Sequence, residues 1–88
     1  MADEVIKVTI LNREQMLFRG TVTSLTSVNA KGEFDILPRH QNFISVIKDK
    51  VVLRPVEGKP VQYTISHGII HVVANEVKLF LGIGRNLI

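Results

Sequence analysis

Apolar side chains recur here at every second residue, in short runs broken by turn residues, and no window carries a helical period of convincing length. Successive side chains of an extended chain point to opposite faces, so this period is the mark of half-buried strands. Ile6, Val8 and Ile10 share one face, with Lys7 and Thr9 on the other, and Val61, Tyr63 and Ile65 repeat the pattern. Further short runs lie at Met16–Arg19, Thr21–Val28, Phe34–Leu37, Phe43–Lys48, Val51–Arg54, Ile69–Val73 and Val77–Leu81. Between them stand turn signals: Asn12-Arg13-Glu14, Asp49-Lys50, and Pro55 with Glu57-Gly58-Lys59-Pro60. Pro38 stops the strand before it because it has no N–H for a ladder. Ala74-Asn75-Glu76 reads as the turn of a hairpin joining the last two runs. Many short strands with frequent turns predict an all-β fold, a small antiparallel β-sandwich or flattened barrel. Phe34, Phe43 and Phe80 sit inside the apolar alternation and are expected in its core.

The 88 residues predict a single domain spanning 1–88. Chains of this size bury only about 60–65% of their unfolded surface, so stability is expected to be modest. At 45% hydrophobic residues there is enough apolar material for a core, and the mean hydropathy argues against disorder. With no cysteine, disulfides, thiolate metal sites and a cysteine nucleophile are excluded. No apolar run approaches the roughly 20 residues that a membrane-spanning helix needs. The acidic start Met1-Ala2-Asp3-Glu4 is unlike a signal peptide, so a soluble protein kept in the cytoplasm is expected. The net charge of +3 comes from cations scattered singly along the chain, with no basic block.

Few side chains lie in patterns that carry chemistry. His67 and His71 are four apart, which on a strand places them on one face but roughly 13 Å from each other, too far to share one ion. His40 is remote from both, so no metal is expected. Glu33 and Asp35, two apart, would share a strand face about 7 Å from each other. An acid–base pair has that spacing, and so does a solvated face opposite Phe34 and Ile36. Ser66-His67-Gly68 lacks the strand-to-helix turn of a nucleophile elbow. Gly82-Ile83-Gly84 lacks the third glycine and helix of a phosphate cradle. No catalytic constellation and no cofactor are expected. An alternative is a free-standing β-sandwich or barrel binding single-stranded nucleic acid, with Phe18 beside Arg19, and Tyr63, as stacking platforms.

Three segments, in order and spacing, carry a family resemblance: Phe18-x-Gly20-x-Val22, Gly32-Glu33-Phe34-x-Ile36-Leu37-Pro38-x-His40, and Gly68-Ile69-x-x-Val72. Gly20 and Gly32 suit tight strand junctions, and Gly68 a point of close sheet packing. Together they resemble the N-terminal β-sandwich domain of the epsilon subunit of F-type ATP synthases, over Val5 to Ile83.

The resemblance implies a β-sandwich of about ten short strands, a non-catalytic subunit of the central stalk. It implies binding to the gamma subunit and contact with the membrane c-ring, coupling ion-driven rotation to ATP synthesis, with no nucleic acid, no cofactor and no transmembrane segment of its own. The implied location is peripheral, on the cytoplasmic face of a bacterial inner membrane. Carried over by position, Glu33, Arg39, His40 and Asn42 would lie at the c-ring end, and Ser45 near gamma. The chain departs from the family in having Asp35 and Arg39 where glycine or small residues are common. Full-length members continue into a C-terminal helical hairpin that restrains hydrolysis and in some binds ATP. Its motifs are not found here, so neither self-inhibition nor ATP sensing is expected of this polypeptide.

Overall fold

In the computed structural model, which describes residues 5–82, the period-two runs form six strands: β1 (Ile6–Leu11), β2 (Met16–Asn29), β3 (Gly32–Ile36), β4 (Phe43–Pro55), β5 (Val61–Val73) and β6 (Glu76–Leu81). Ile83 and Gly84 of the Gly-x-Gly run lie outside the described residues.

The strand count is lower than about ten for a physical reason: three pairs of sequence runs fuse. β2 joins Met16–Arg19 to Thr21–Val28, β4 joins the runs on either side of Asp49-Lys50, and β5 runs through Ser66-His67-Gly68. Each long strand changes neighbours partway. β2 pairs with β1 from Met16 to Val22, then with β3 from Leu25 to Asn29 along the same edge. β4 pairs with β5 alone from Phe43 to Ile47, then also with β2. The result is two layers linked by bent strands. One holds the first half of β2, then β1, β6, the second half of β5 and the first half of β4. The other holds β3 and the remaining halves of β2, β4 and β5.

The sheet closes on itself, because β1 pairs with both β2 and β6. The pairings are antiparallel apart from β1–β6, which is parallel because closure brings the first and last strands together running the same way. Inward positions form one core, with Ile6, Val8 and Ile10 of β1 meeting Ile70 and Val72 of β5 and Val77 and Leu79 of β6. Phe34 and Phe43 pack against this core as expected. Phe80 does not; it is 38% exposed, because Val77, Leu79 and Leu81 take the inward positions of β6.

Three local features fix the geometry. Ala74 and Asn75 both have positive φ (51° and 65°), as a two-residue hairpin turn that matches strand twist requires. A Cβ at Gly68 would lie 2.6 Å from the Phe80 carbonyl oxygen, so β5 and β6 approach more closely there than any other residue allows. β4 bulges at Lys48/Asp49, with Asp49 at φ 71°, where the strand passes between layers.

Candidate functional site

The two outer faces differ in chemistry. On the face of β3, β2, β4 and β5, charge is satisfied internally. The Thr26 hydroxyl donates to Asp35 Oδ1 at 2.6 Å and accepts from Arg54 Nη1 at 2.8 Å, tying three strands together. Glu33 Oε1 lies 3.4 Å from Lys50 Nζ. Glu33 and Asp35 do face the same way, as the spacing predicts, but each carboxylate has its own partner and they do not form an acid–base couple. The expected departure at Asp35 is thus a structural anchor.

Strand register sets two cross-strand rows on the opposite face. The first reads Val46, Ile69, Phe80, Leu11 and Met16, across β4, β5, β6, β1 and β2. The next reads Ile44, His71, Lys78, Thr9 and Arg19 over the same strands. Ile44 and Val46 are 68% and 64% exposed, and Met16, Val73 and Phe80 on these strands are exposed as well. Buried apolar residues of the core lie beneath this face, so the exposed ones contribute nothing to it. Contiguous apolar surface of this kind marks a place where another molecule sits.

The remaining predicted residues lie where the layers end. His40 packs edge-on against Phe43, and Phe43 against Phe34, each pair with ring centroids 5.5 Å apart. This chain of rings joins the β2–β3 hairpin to the loop before β4. The His40 Nδ1 lies 2.8 Å from the Gln41 carbonyl oxygen. The Arg39 N–H donates to Asn75 Oδ1 at 2.6 Å, so the loop is also held to the β5–β6 turn. Arg39 has φ 69°, in the left-handed region that is open to glycine and costly for a larger residue, so the departure expected at this position carries a backbone cost. Asn42 is exposed just before β4. Ser45 points inward and accepts from Asn29 Nδ2 at 3.3 Å, so its neighbours Ile44 and Val46, which the sequence did not single out, face outward.

Other candidates find structural uses. Phe18 and Tyr63, the two stacking platforms, pack against the core, and the Tyr63 hydroxyl donates to the Leu17 carbonyl at 3.3 Å. An open hollow of about 390 Å³ lies by Asn12, Leu17, Tyr63 and Gly82. Asn12 Oδ1 there accepts the Glu14 and Gln15 N–H groups, so it serves the loop. His67 and His71 lie on one face of β5 with Ile69 between them. Among the described residues no group of three or more potential ligands gathers, and no helix is long and apolar enough to cross a membrane.

Residues 5–81 match the family described as the β-sandwich domain of the ATP synthase delta/epsilon chain. The chain belongs to this family. It is 31% identical over 74 residues to the ATP synthase epsilon chain of a Nitratiruptor species, covering 83% of this chain and 57% of that one. To the epsilon chain of Xanthomonas campestris pv. campestris it is 35% identical over 68 residues, covering 76% and 49%. The chain therefore spans about half the length of the curated relatives it matches. The same fold is found in the Euglena gracilis mitochondrial ATP synthase, with a TM-score of 0.81 at 23% identity, over 89% of this chain and 51% of that one. It recurs in the central stalk and c-ring structure of the Tetrahymena thermophila enzyme, with a TM-score of 0.72 at 18% identity, over 86% and 62%. The family is thus one of ATP synthase delta/epsilon β-sandwich domains, and the resemblance carried by three short sequence segments pointed to the same family.

Proposed function

We propose that the chain acts as a non-catalytic epsilon-type subunit in the central stalk of a rotary F-type ATP synthase, peripheral to the membrane and on its cytoplasmic side. Its outer face of β4, β5, β6 and β1 sits on gamma, and the end formed by Glu33, Arg39, His40 and Asn42 rests on the polar loops of the c-ring. The single 1–88 domain works as a rigid body that transmits torque between them. The observation that carries this reading is the exposed apolar row from Val46 through Phe80 to Met16 on a fold that this family shares.

The rigid end suits its role. His40 is oriented by Phe43, and Arg39 by Asn75, so the loop is held from both sides rather than hanging loose. Glu33 is 61% exposed and its partner Lys50 only 35% exposed; such a surface pair is worth about 0–1 kcal/mol, so a cation on a ring loop can take the place of Lys50. Ser45 supports the gamma face from behind: its hydroxyl accepts from Asn29 Nδ2 at 3.3 Å and donates to the Val46 carbonyl oxygen at 3.1 Å.

The test is a tagged pull-down from detergent-solubilised membranes of the source cell, with bound proteins identified by mass spectrometry. Recovery of gamma and the catalytic subunits is expected. Recovery of nucleic acid without those subunits would overturn the proposal in favour of a nucleic-acid module.

A further inference from the structure

Resting on the gamma-facing role just proposed, we infer that the partner surface covering this face carries a row of acidic side chains. That row lies opposite Lys78 and Arg19, beside the apolar row. The apolar row supplies affinity, and the charged row fixes the register of the contact.

Three observations carry the inference. First, the two rows are neighbours along every strand they cross, two residues or about 7 Å apart on β4, β5, β6 and β1 and three residues apart on β2, where the register with β1 shifts, so one partner segment cannot cover the first without meeting the second. Second, the face is cationic on both sides of the apolar row. Lys48 lies in the row beyond Val46 and Ile69, beside His67, while Lys78 and Arg19 lie in the row on the other side with His71. Among the described side chains of these rows and the next, Glu76 is the one carboxylate, and it stands opposite Lys7 in the register of β1 and β6.

Third, the cations here are treated differently from those on the other face. Lys50 is paired with Glu33, and Arg54 is tied to Thr26 and through it to Asp35. Lys48, Lys78 and Arg19 make no ion pair with any carboxylate among the described residues. A chain that neutralises one face within itself and leaves the other unpaired beside exposed apolar residues presents a surface complementary to acids. Charged rims of this kind steer encounter and fix orientation more than they add affinity. An alternating acidic and apolar protein segment fits the two rows. The stacking platforms that a nucleic acid would need are packed against the core instead.

The experiment measures binding of the full chain to the purified catalytic sector, stripped of its own copy of this subunit, across a salt series. The variants are Lys78→Glu, Arg19→Glu, Val46→Ser and, as a remote exposed control, Lys59→Glu. Circular dichroism checks that each is folded. The expected result is about tenfold weaker binding at low salt for Lys78→Glu and Arg19→Glu, with a shallower salt slope. Val46→Ser is expected to weaken binding at every salt concentration with the slope unchanged, and Lys59→Glu to match wild type. If Val46→Ser weakens binding while both charge reversals leave affinity and slope unchanged, the acidic partner row is wrong and the gamma-facing role stands. If the wild-type chain itself does not bind the sector, both fall. Tighter binding to a single-stranded oligonucleotide or to anionic vesicles than to the sector, abolished by Lys78→Glu, gives the row to another ligand and overturns the inference.

Discussion

The Ser27 hydroxyl donates a 2.7 Å hydrogen bond to the carbonyl oxygen of Lys50, at the place where β4 leaves register with β2. Ser27 is fully buried, and on β4 the two residues Asp49 and Lys50 stand between the partners of Val28 and Ser27. A bulge breaks the regular ladder, and this hydroxyl satisfies the carbonyl that the break would strand. The bond thus holds the bend that lets one strand serve both layers.

Ser27→Ala should therefore destabilise the fold by about 1–3 kcal/mol, the cost of leaving a buried polar group without its partner. The measurement is urea unfolding followed by circular dichroism. Ser66→Ala, at an exposed position of β5, should change stability by no more than about 0.5 kcal/mol. Equal stability of Ser27→Ala and wild type would mean that the bend holds without the bond.

Gly68→Ala tests the close approach of β5 and β6. The added methyl would lie 2.6 Å from the Phe80 carbonyl oxygen and 2.8 Å from Leu81 Cδ2. The first of these is backbone and cannot swing aside, so the two strands must part, at about 1–3 kcal/mol. A drop in melting temperature with retained β-sheet signal is expected. A variant as stable as wild type would show that β6 shifts without loss.

How much of this was legible in the sequence depends on the length scale of the signal. Period-two alternation located nearly every strand residue, and the Ala74-Asn75 hairpin, the stop before Pro38 and the tight packing at Gly68 were all readable locally. Fusion of the runs was not. Asp49-Lys50 looks like a turn in sequence, and pairing of these two residues with Ile65 and Thr64 of β5 keeps β4 continuous through it, while β2 bridges past them from Lys48 to Val51. The outward face was hidden for a related reason. From Phe43 to Ile47 four of five residues are apolar, so alternation cannot say which point out, and register with Ile69 and His71 decides it. Thr26 and Ser27 gave no sign of being buried hydrogen-bonding centres, since their partners are nine and twenty-three residues away.

Arg39 and Asn75 form the third test. Arg39 sits at φ 69° and its N–H is held by Asn75 Oδ1. Arg39→Val should cost more than about 1 kcal/mol, because a β-branched residue tolerates the left-handed region poorly. Arg39→Gly loses the same side chain but should be more stable than Arg39→Val by about 1 kcal/mol or more, because glycine adopts the left-handed region without strain. Thermal unfolding of the pair separates them. Equal stability of both variants would mean that the loop can adopt another backbone conformation without penalty.

Glu33 and Lys50 connect the fold to the proposed ring contact. Their pairing satisfies both charges in the isolated chain, yet it is exposed enough to exchange. If Glu33 meets a basic ring loop, Lys50 is its competitor. Lys50→Met should then strengthen attachment of the stalk to membranes carrying the ring, while Glu33→Gln should weaken it, each by about 0.5–1.5 kcal/mol or a few-fold in affinity. Both variants should fold as wild type, because neither side chain lies in the core. Binding of reconstituted catalytic sector to ring-containing vesicles gives the comparison, and raised salt should narrow the difference between the two. The opposite signs matter more than either magnitude. Loss of attachment in both variants would mean that the Glu33–Lys50 pair acts as a unit in shaping the surface. No change in either would move the ring contact away from Glu33, onto the His40 loop.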